Sequence, residues 1–359
     1  MLARVLFVLG VSTGLEIRMH ATSAASTAIV ESAFRSKPML VGWYRELEVF
    51  AECMPPETMD WSAMTHVTYS SLCPYVAGEY NCSGAFNTSL LTRVVTAAHA
   101  HDVKVLLMVS WNSDLQVKPW DTEQLSEKFV ASVANAVQYW GFDGVEYDVE
   151  DFPKPNITLR NLYTRNILIP TRAALHKVVP ASRVTVGVCL AAYNYNPWVF
   201  VENSRSLYAA VDFFNVMSYN WQAVDTSESH PFPTASVKAL TTLAAYGIPK
   251  EKLNMGIGWY THPGGGSAVC SLAKNPTCAT ALKSAPAKNI CAGEQYDGPQ
   301  MGYEMGRFAA AQGWGGVMTF CVNYDSHNTL LTPLAQGLRN GTLERSGDVP
   351  SPLVVAGTY

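Results

Sequence analysis

Charge is scarce in this chain. Only 15% of its 359 residues are Asp, Glu, Lys or Arg, and the acids outnumber the bases to leave a net charge of −4. That balance lacks the basic footprint with which nucleic-acid binders neutralise phosphates. The apolar run near the start, from Val5 to Val11, is too short to cross a bilayer. No paired C-x-x-C spacing and no cluster of histidines offers a zinc site; His66 and His262 each stand without a second ligand at metal spacing. No internal repeat is visible, and no Pro/Gly-rich linker separates a second domain. What the chain does have is apolar residues, 48% of the total, enough to bury a large core.

Arg4 followed by that short apolar run has the form of a secretory signal, so residues 1–25 are expected to be a signal peptide and leader. Ser12-Thr-Gly14 and the small residues near Ala21 to Ala25 both qualify as cleavage sites. A secreted, extracellular protein is expected, or one of a lysosome-like compartment, free of membrane after processing. Four N-x-S/T acceptors, at Asn81, Asn87, Asn156 and Asn340, agree with that route. Of the eight cysteines, Cys53, Cys73, Cys82, Cys270, Cys278 and Cys291 fall in expected loops. They allow up to three disulfides among fifteen pairings, between which the sequence does not choose. Cys189 and Cys321 fall inside apolar strand patterns and read as small core residues.

Beyond the leader the pattern is strand then helix, repeated. Apolar, β-branched runs occur at Met39 to Tyr44, Met64 to Leu72, Val103 to Trp111, Phe142 to Glu150, Arg183 to Ala192, Asp212 to Asn220, Lys252 to Tyr260 and Gly315 to Val322. Helical periods lie between most of them, at Leu90 to His101, Glu123 to Tyr139, Leu159 to Val178, Ala235 to Tyr246 and Gly302 to Gln312. Open parallel sheets usually have five or six strands, so eight predict an α/β fold closed as a single-domain (β/α)8 TIM barrel. The expected limits are 38–340 for the barrel and 341–359 for a C-terminal tail.

In such barrels the chemistry sits at the carboxyl ends of the strands. The run Phe142-Asp-Gly-Val-Glu-Tyr-Asp-Val-Glu-Asp151 alternates apolar residues with acids, so Glu146, Asp148 and Glu150 share one face of a strand. Three acids on a buried strand are costly unless they share protons or meet a ligand, which makes this run a candidate site. The expected rim also carries Met217-Ser-Tyr-Asn-Trp221 and Phe320-Cys-Val-Asn-Tyr-Asp325. Aromatic residues near strand ends, Trp43, Trp111, Trp221, Trp259 and Tyr260, could stack on sugar rings or simply pack.

The acidic run resembles the D-x-x-D-x-D-x-E signature of glycoside hydrolase family 18, the chitinases and their relatives, read onto Asp143, Glu146, Asp148 and Glu150. Met217-x-Tyr219 resembles the family's M-x-Y-D element, and Gly315-Gly-Val-Met-Thr-Phe320 its G-G-x-M-x-W. Four positions depart from the pattern. Glu146 and Asn220 stand where aspartates are usual, Phe320 replaces the aromatic floor residue under the sugar, and Met108 replaces a serine that normally bonds the first inward aspartate. The segment from Thr261 to Trp314 is too short for the family's large insertion domain, which implies an open groove.

The resemblance implies a substrate-assisted, retaining hydrolysis of β-1,4-linked N-acetylglucosamine, in chitin or its oligomers, with no cofactor and no metal. Glu150 would be the proton donor, Asp148 would hold the 2-acetamido N–H, and Tyr219 its carbonyl. Asp143, Glu146, Met217 and Asn220 would support them, while Phe320, Trp43, Trp111, Trp221 and Trp259 would meet the glycan. A monomer with no partner other than the saccharide is expected. An inactive chitin-binding lectin on the same scaffold is the alternative, kept open by Glu146, Met108 and Phe320. A site for a hard cation is a third reading, but it lacks further oxygen ligands at recognisable spacing.

Overall fold

Caps written in the sequence set the longer helices. Asn87 accepts the Leu90 amide at 3.1 Å and starts α1 (Thr88–His99), and Thr122 accepts the Leu125 amide at 3.2 Å and starts α2 (Glu123–Trp140). Gly141 ends α2 in the left-handed region, at φ 75°, where a side chain would be strained. The chain then passes directly into the acidic strand. The structure is a computed structural model and describes residues 37–110, 118–149, 157–191, 204–219, 234–261, 267–284 and 290–347.

Each of the eight expected runs supplies one strand: β1 (Met39–Arg45), β2 (His66–Ser70), β3 (Lys104–Val109), β4 (Gly144–Tyr147), β5 (Thr185–Ala191), β6 (Phe213–Met217), β7 (Leu253–Gly258) and β8 (Gly316–Phe320). All neighbours pair in parallel, each strand with the next in sequence, and β8 pairs with β1 to close the barrel. The helices α3 (157–175, with a π-helical turn at Thr164–Leu168), α4 (Ser204–Ala210), α5 (Thr234–Ala245), α6 (Pro299–Gln312) and α7 (Leu331–Ser346) complete the described outer layer. Two of them, α4 and α7, were not anticipated, and α7 runs past residue 340. Between β7 and α6 the described residues form two short helices, Val269–Ala273 and Pro276–Ser284, and a hairpin pairing Ile290–Cys291 with Glu294–Gln295. The large insertion is missing among the described residues, as expected.

Three disulfides form, Cys53–Cys270, Cys73–Cys82 and Cys278–Cys291, while Cys189 and Cys321 are buried outside any disulfide. Cys270 and Cys278 sit in the short helices and Cys291 in the hairpin, rather than in plain loops. No helix among the described residues is long and apolar enough to cross a membrane.

The amino-terminal end of the barrel is held by buried charge. Asp143 accepts bonds from Arg183 at 2.5 and 3.0 Å, from His99 at 2.9 Å and from the Val105 amide at 2.8 Å. Burial works against its carboxylate, but these donors outweigh it and bring the pKa down to about 2. His66 stands nearby at the start of β2, its ring edge-on to Phe213 at 5.4 Å. Burial, reinforced by Lys104, pushes its pKa down to about 3. The folded imidazole therefore stays neutral while the unfolded chain takes up a proton near pH 6.5, so stability falls as pH drops through that window, by about 3 kcal/mol at roughly pH 4. Urea titrations across pH are expected to show this slope, and His66→Gln is expected to flatten its upper part.

Candidate active site

Strand β4 sorts its side chains by parity. Tyr147 points outward, its hydroxyl 2.7 Å from Thr171 Oγ1 on α3, whereas Glu146 points into the barrel and is fully buried. Thr68 Oγ1 on β2 donates a short hydrogen bond to Glu146 Oε2. Oε1 accepts from Asn215 Nδ2 on β6 at 2.5 Å and from Cys189 Sγ on β5 at 3.1 Å. Asn254 on β7 donates in turn to Asn215 Oδ1 at 2.9 Å. One polar layer thus crosses the barrel interior. Burial pushes the Glu146 carboxyl up, against the pull of its donors, so this acid tends to hold a proton.

Room for the longer acid comes from Gly187 on the neighbouring strand. A Cβ there would lie 3.2 Å from Glu146 Cγ and 2.4 Å from the Phe213 ring. Met108 does stand beside Glu146 in the β3–β4 register, but its sulfur receives the Ser70 hydroxyl at 3.3 Å. The hydroxyl missing at position 108 is supplied to Glu146 from the far side of β3, by Thr68.

Asp148 follows β4 at the same parity. Its amide donates to the Val109 carbonyl at 3.0 Å, and its side chain is half-buried at the mouth. Tyr219, two residues beyond β6, is 8% exposed. Burial holds its phenol well above the ordinary range, and the charges around it, Asp148 among them, add to the shift. The hydroxyl therefore keeps its proton and can donate. Asp148 and Tyr219 share one electrostatic neighbourhood.

Phe320, the last residue of β8, lies at the centre of an aromatic floor. Its ring centroid is 5.7 Å from Trp43, 6.0 Å from Tyr219, with the planes 25° apart, and 6.3 Å from both Tyr260 and Tyr324. Phe320 is half-buried, whereas Trp43 and Tyr260 are buried behind it. Trp259 is 1% exposed, its amide bonded to the Phe320 carbonyl, and it offers no open face to a sugar.

The structure thus brings together Glu146, Asp148, Tyr219, Phe320 and Trp43, with Met217 half-buried at the end of β6. It does not bring Asp143 to them, because that residue precedes β4 and anchors the opposite end. Asp325 is also turned away. It is fully buried, accepts the Ser326, Leu330 and Leu331 amides around the start of α7, and burial pushes its pKa up to about 6. Glu150, Asn220, Trp111 and Trp221 lie outside the described residues, as does His262. Among the described residues no group of three His, Cys, Asp or Glu side chains is placed to hold a metal ion. Thr68, Asn215, Cys189 and Asn254 were missed from sequence. Their one signal was a polar or thiol side chain within a strand run at the spacing that faces the barrel interior.

The family model of glycosyl hydrolases family 18 matches residues 40–325. No curated protein matches the chain. Among solved structures it is similar to a chitinase from Bacteroides thetaiotaomicron, at 18% identity and a TM-score of 0.64 over 85% of this chain and 97% of that one. A chitinase from Rhizomucor miehei matches at 19% identity and a TM-score of 0.60, over 83% and 99%. A mutant chitinase from Cycas revoluta, solved in complex with (GlcNAc)4, matches at 17% identity and a TM-score of 0.64, over 84% and 99%. At these identities the likeness is one of fold.

Proposed function

Because the chain belongs to glycosyl hydrolase family 18, we propose that it is a secreted hydrolase of β-1,4-linked N-acetylglucosamine, acting on chitin or chitooligosaccharides. The observation that carries this reading is the placement of Asp148 and Tyr219 around the half-buried Phe320 at the carboxyl-end mouth. In the proposed reaction Glu150 protonates the glycosidic oxygen while the carbonyl oxygen of the sugar's 2-acetamido group attacks the anomeric carbon. An oxazolinium ion forms. Asp148 orients the acetamido N–H and offsets the developing positive charge, and the Tyr219 hydroxyl donates to the acetamido carbonyl oxygen. Glu150 then takes a proton from the incoming water, so the configuration is retained. Burial pushes the Glu146 carboxyl up, so in this scheme Glu146 is the acid of the cluster that holds a proton beneath the sugar.

Secretion is supported by three disulfides and by exposed acceptor asparagines at 81, 87 and 340. A second reading, a chitin-binding lectin, draws on the altered residues around Asp148 and the smaller ring at Phe320. The purified protein is expected to release product from a chromogenic N-acetylchitooligosaccharide with retained anomeric configuration, and to spare the same oligomer once its acetyl groups are removed. Binding of the acetylated oligomer without release would support the lectin. Failure to bind it at all would overturn both readings.

A further inference from the structure

A fixed cation stands at the edge of the aromatic floor. Arg45 is the last residue of β1 and shares strand parity with Trp43, whose ring backs Phe320, so its side chain rises from the inner face at the barrel mouth. The Asn323 side chain brackets its backbone, accepting the Arg45 amide at 3.0 Å and donating to the Arg45 carbonyl at 2.9 Å. Nη1 donates to the Tyr324 hydroxyl at 2.7 Å, and the guanidinium carbon lies 5.8 Å from the Phe50 ring centroid. Phe50 and Tyr324 meet at 4.4 Å, and Tyr324 meets Phe320 at 6.3 Å. One ring therefore separates the guanidinium from the floor. Burial pushes the thiol of Cys321, the residue after Phe320, well above its ordinary range, and the Arg45 charge reaches it as a smaller opposing pull.

Arg45 is exposed and makes no ion pair among the described residues. Its sequence neighbours Glu46 and Glu48 are engaged elsewhere, Glu46 by Tyr69 and the Asn87 amide and Glu48 by the Asn87 side chain. A neutral chitin chain offers hydroxyls and acetamides, which use no formal charge. A guanidinium with one bond to Tyr324 has further N–H donors in a planar fork suited to a two-oxygen anion.

We propose that Arg45 forms a subsite for an anionic substituent, a carboxylate or a sulfate ester, carried by an N-acetylglucosamine-containing glycan on a sugar next to the one lying over Phe320. This rests on the mouth being the glycan groove proposed above, and it makes acid-decorated glycans the preferred substrates over plain chitin.

The test compares three oligosaccharides of equal length with the full chain: neutral N-acetylchitooligosaccharide, one carrying lactyl carboxylates as in bacterial wall glycan, and one carrying sulfate esters. Binding is read by calorimetry and turnover as kcat/KM. One anionic oligomer is expected to bind about tenfold more tightly than the neutral one at low salt, an advantage that shrinks at high salt. The oligomer that shows the advantage identifies the source of the anion. Arg45→Met is expected to collapse the anionic-to-neutral ratio of kcat/KM about tenfold, chiefly through KM, with Arg45→Lys intermediate. The salt dependence of the native protein gives the same answer without any variant. Equal affinity for neutral and anionic oligomers, or a preference that survives Arg45→Met, overturns the assignment to Arg45 alone. Failure to bind any of the three overturns the groove as well.

Discussion

Replacing Glu150 by Gln is expected to lower kcat on chitooligosaccharides by about a thousandfold or more while leaving their binding nearly intact. Gln keeps the size and hydrogen-bonding reach of the acid but has no proton to release to the leaving oxygen and cannot take one from water in the second step. Ground-state contacts with the glycan are conserved, so KM or Kd should move little. The loss should also depend on the leaving group. A sugar alkoxide needs the proton, whereas an aryl oxide of low basicity departs largely without it, so an aryl chitobioside should suffer less than an unmodified oligomer. Calorimetry beside two rate measurements decides the matter. A variant that still cleaves the unmodified oligomer at the native rate would remove Glu150 from the reaction, and with it the proposed mechanism.

The second large effect is expected inside the barrel. Asn215→Leu removes the 2.5 Å donor to Glu146 and leaves the Asn254 amide without its acceptor, in a region closed to water. A destabilisation of about 3 kcal/mol is expected in urea unfolding. Activity should fall by about a hundredfold, because an acid that shifts or changes its protonation beneath Asp148 alters the charge that the oxazolinium ion requires. Thr68→Val gives the control. It removes only the hydroxyl, and if Thr68 acts through Glu146, then Thr68→Val and Glu146→Gln together should cost less than the sum of the two, by about 1 kcal/mol or more. Strict additivity in a double-mutant cycle would show the two residues to be independent.

The fold was legible because most residues of the barrel strands are apolar or β-branched, and because α1 and α2 carry capping residues at their starts. Thr122, Asn87 and Gly141 mark boundaries that local chemistry alone can set. The site was legible in part. Alternation placed Glu146 and Asp148 on one face, but it could not say which strands would meet that face, since cross-barrel neighbours depend on tilt and stagger rather than spacing along the chain. That is why Met108 looked like a lost hydroxyl when Thr68, forty residues earlier, makes the bond. Likewise Asp143 belongs to the signature in sequence, yet it precedes the strand and is spent on Arg183 and His99. Trp259 looked like a stacking platform until the packing behind Phe320 was known. Arg45 carried no signal, because a basic residue ending a strand is ordinary until its neighbours are seen.

The Cys53–Cys270 bridge spans 217 residues of sequence, from the segment after β1 to the segment after β7. During synthesis its second sulfur emerges only after seven of the eight strands have been made. Cys53 must therefore wait, and nearer thiols at 73 and 82 are available to it first. Efficient production should then depend on an isomerase that can undo such early pairings, and a host lacking one should yield chains joined in the wrong order.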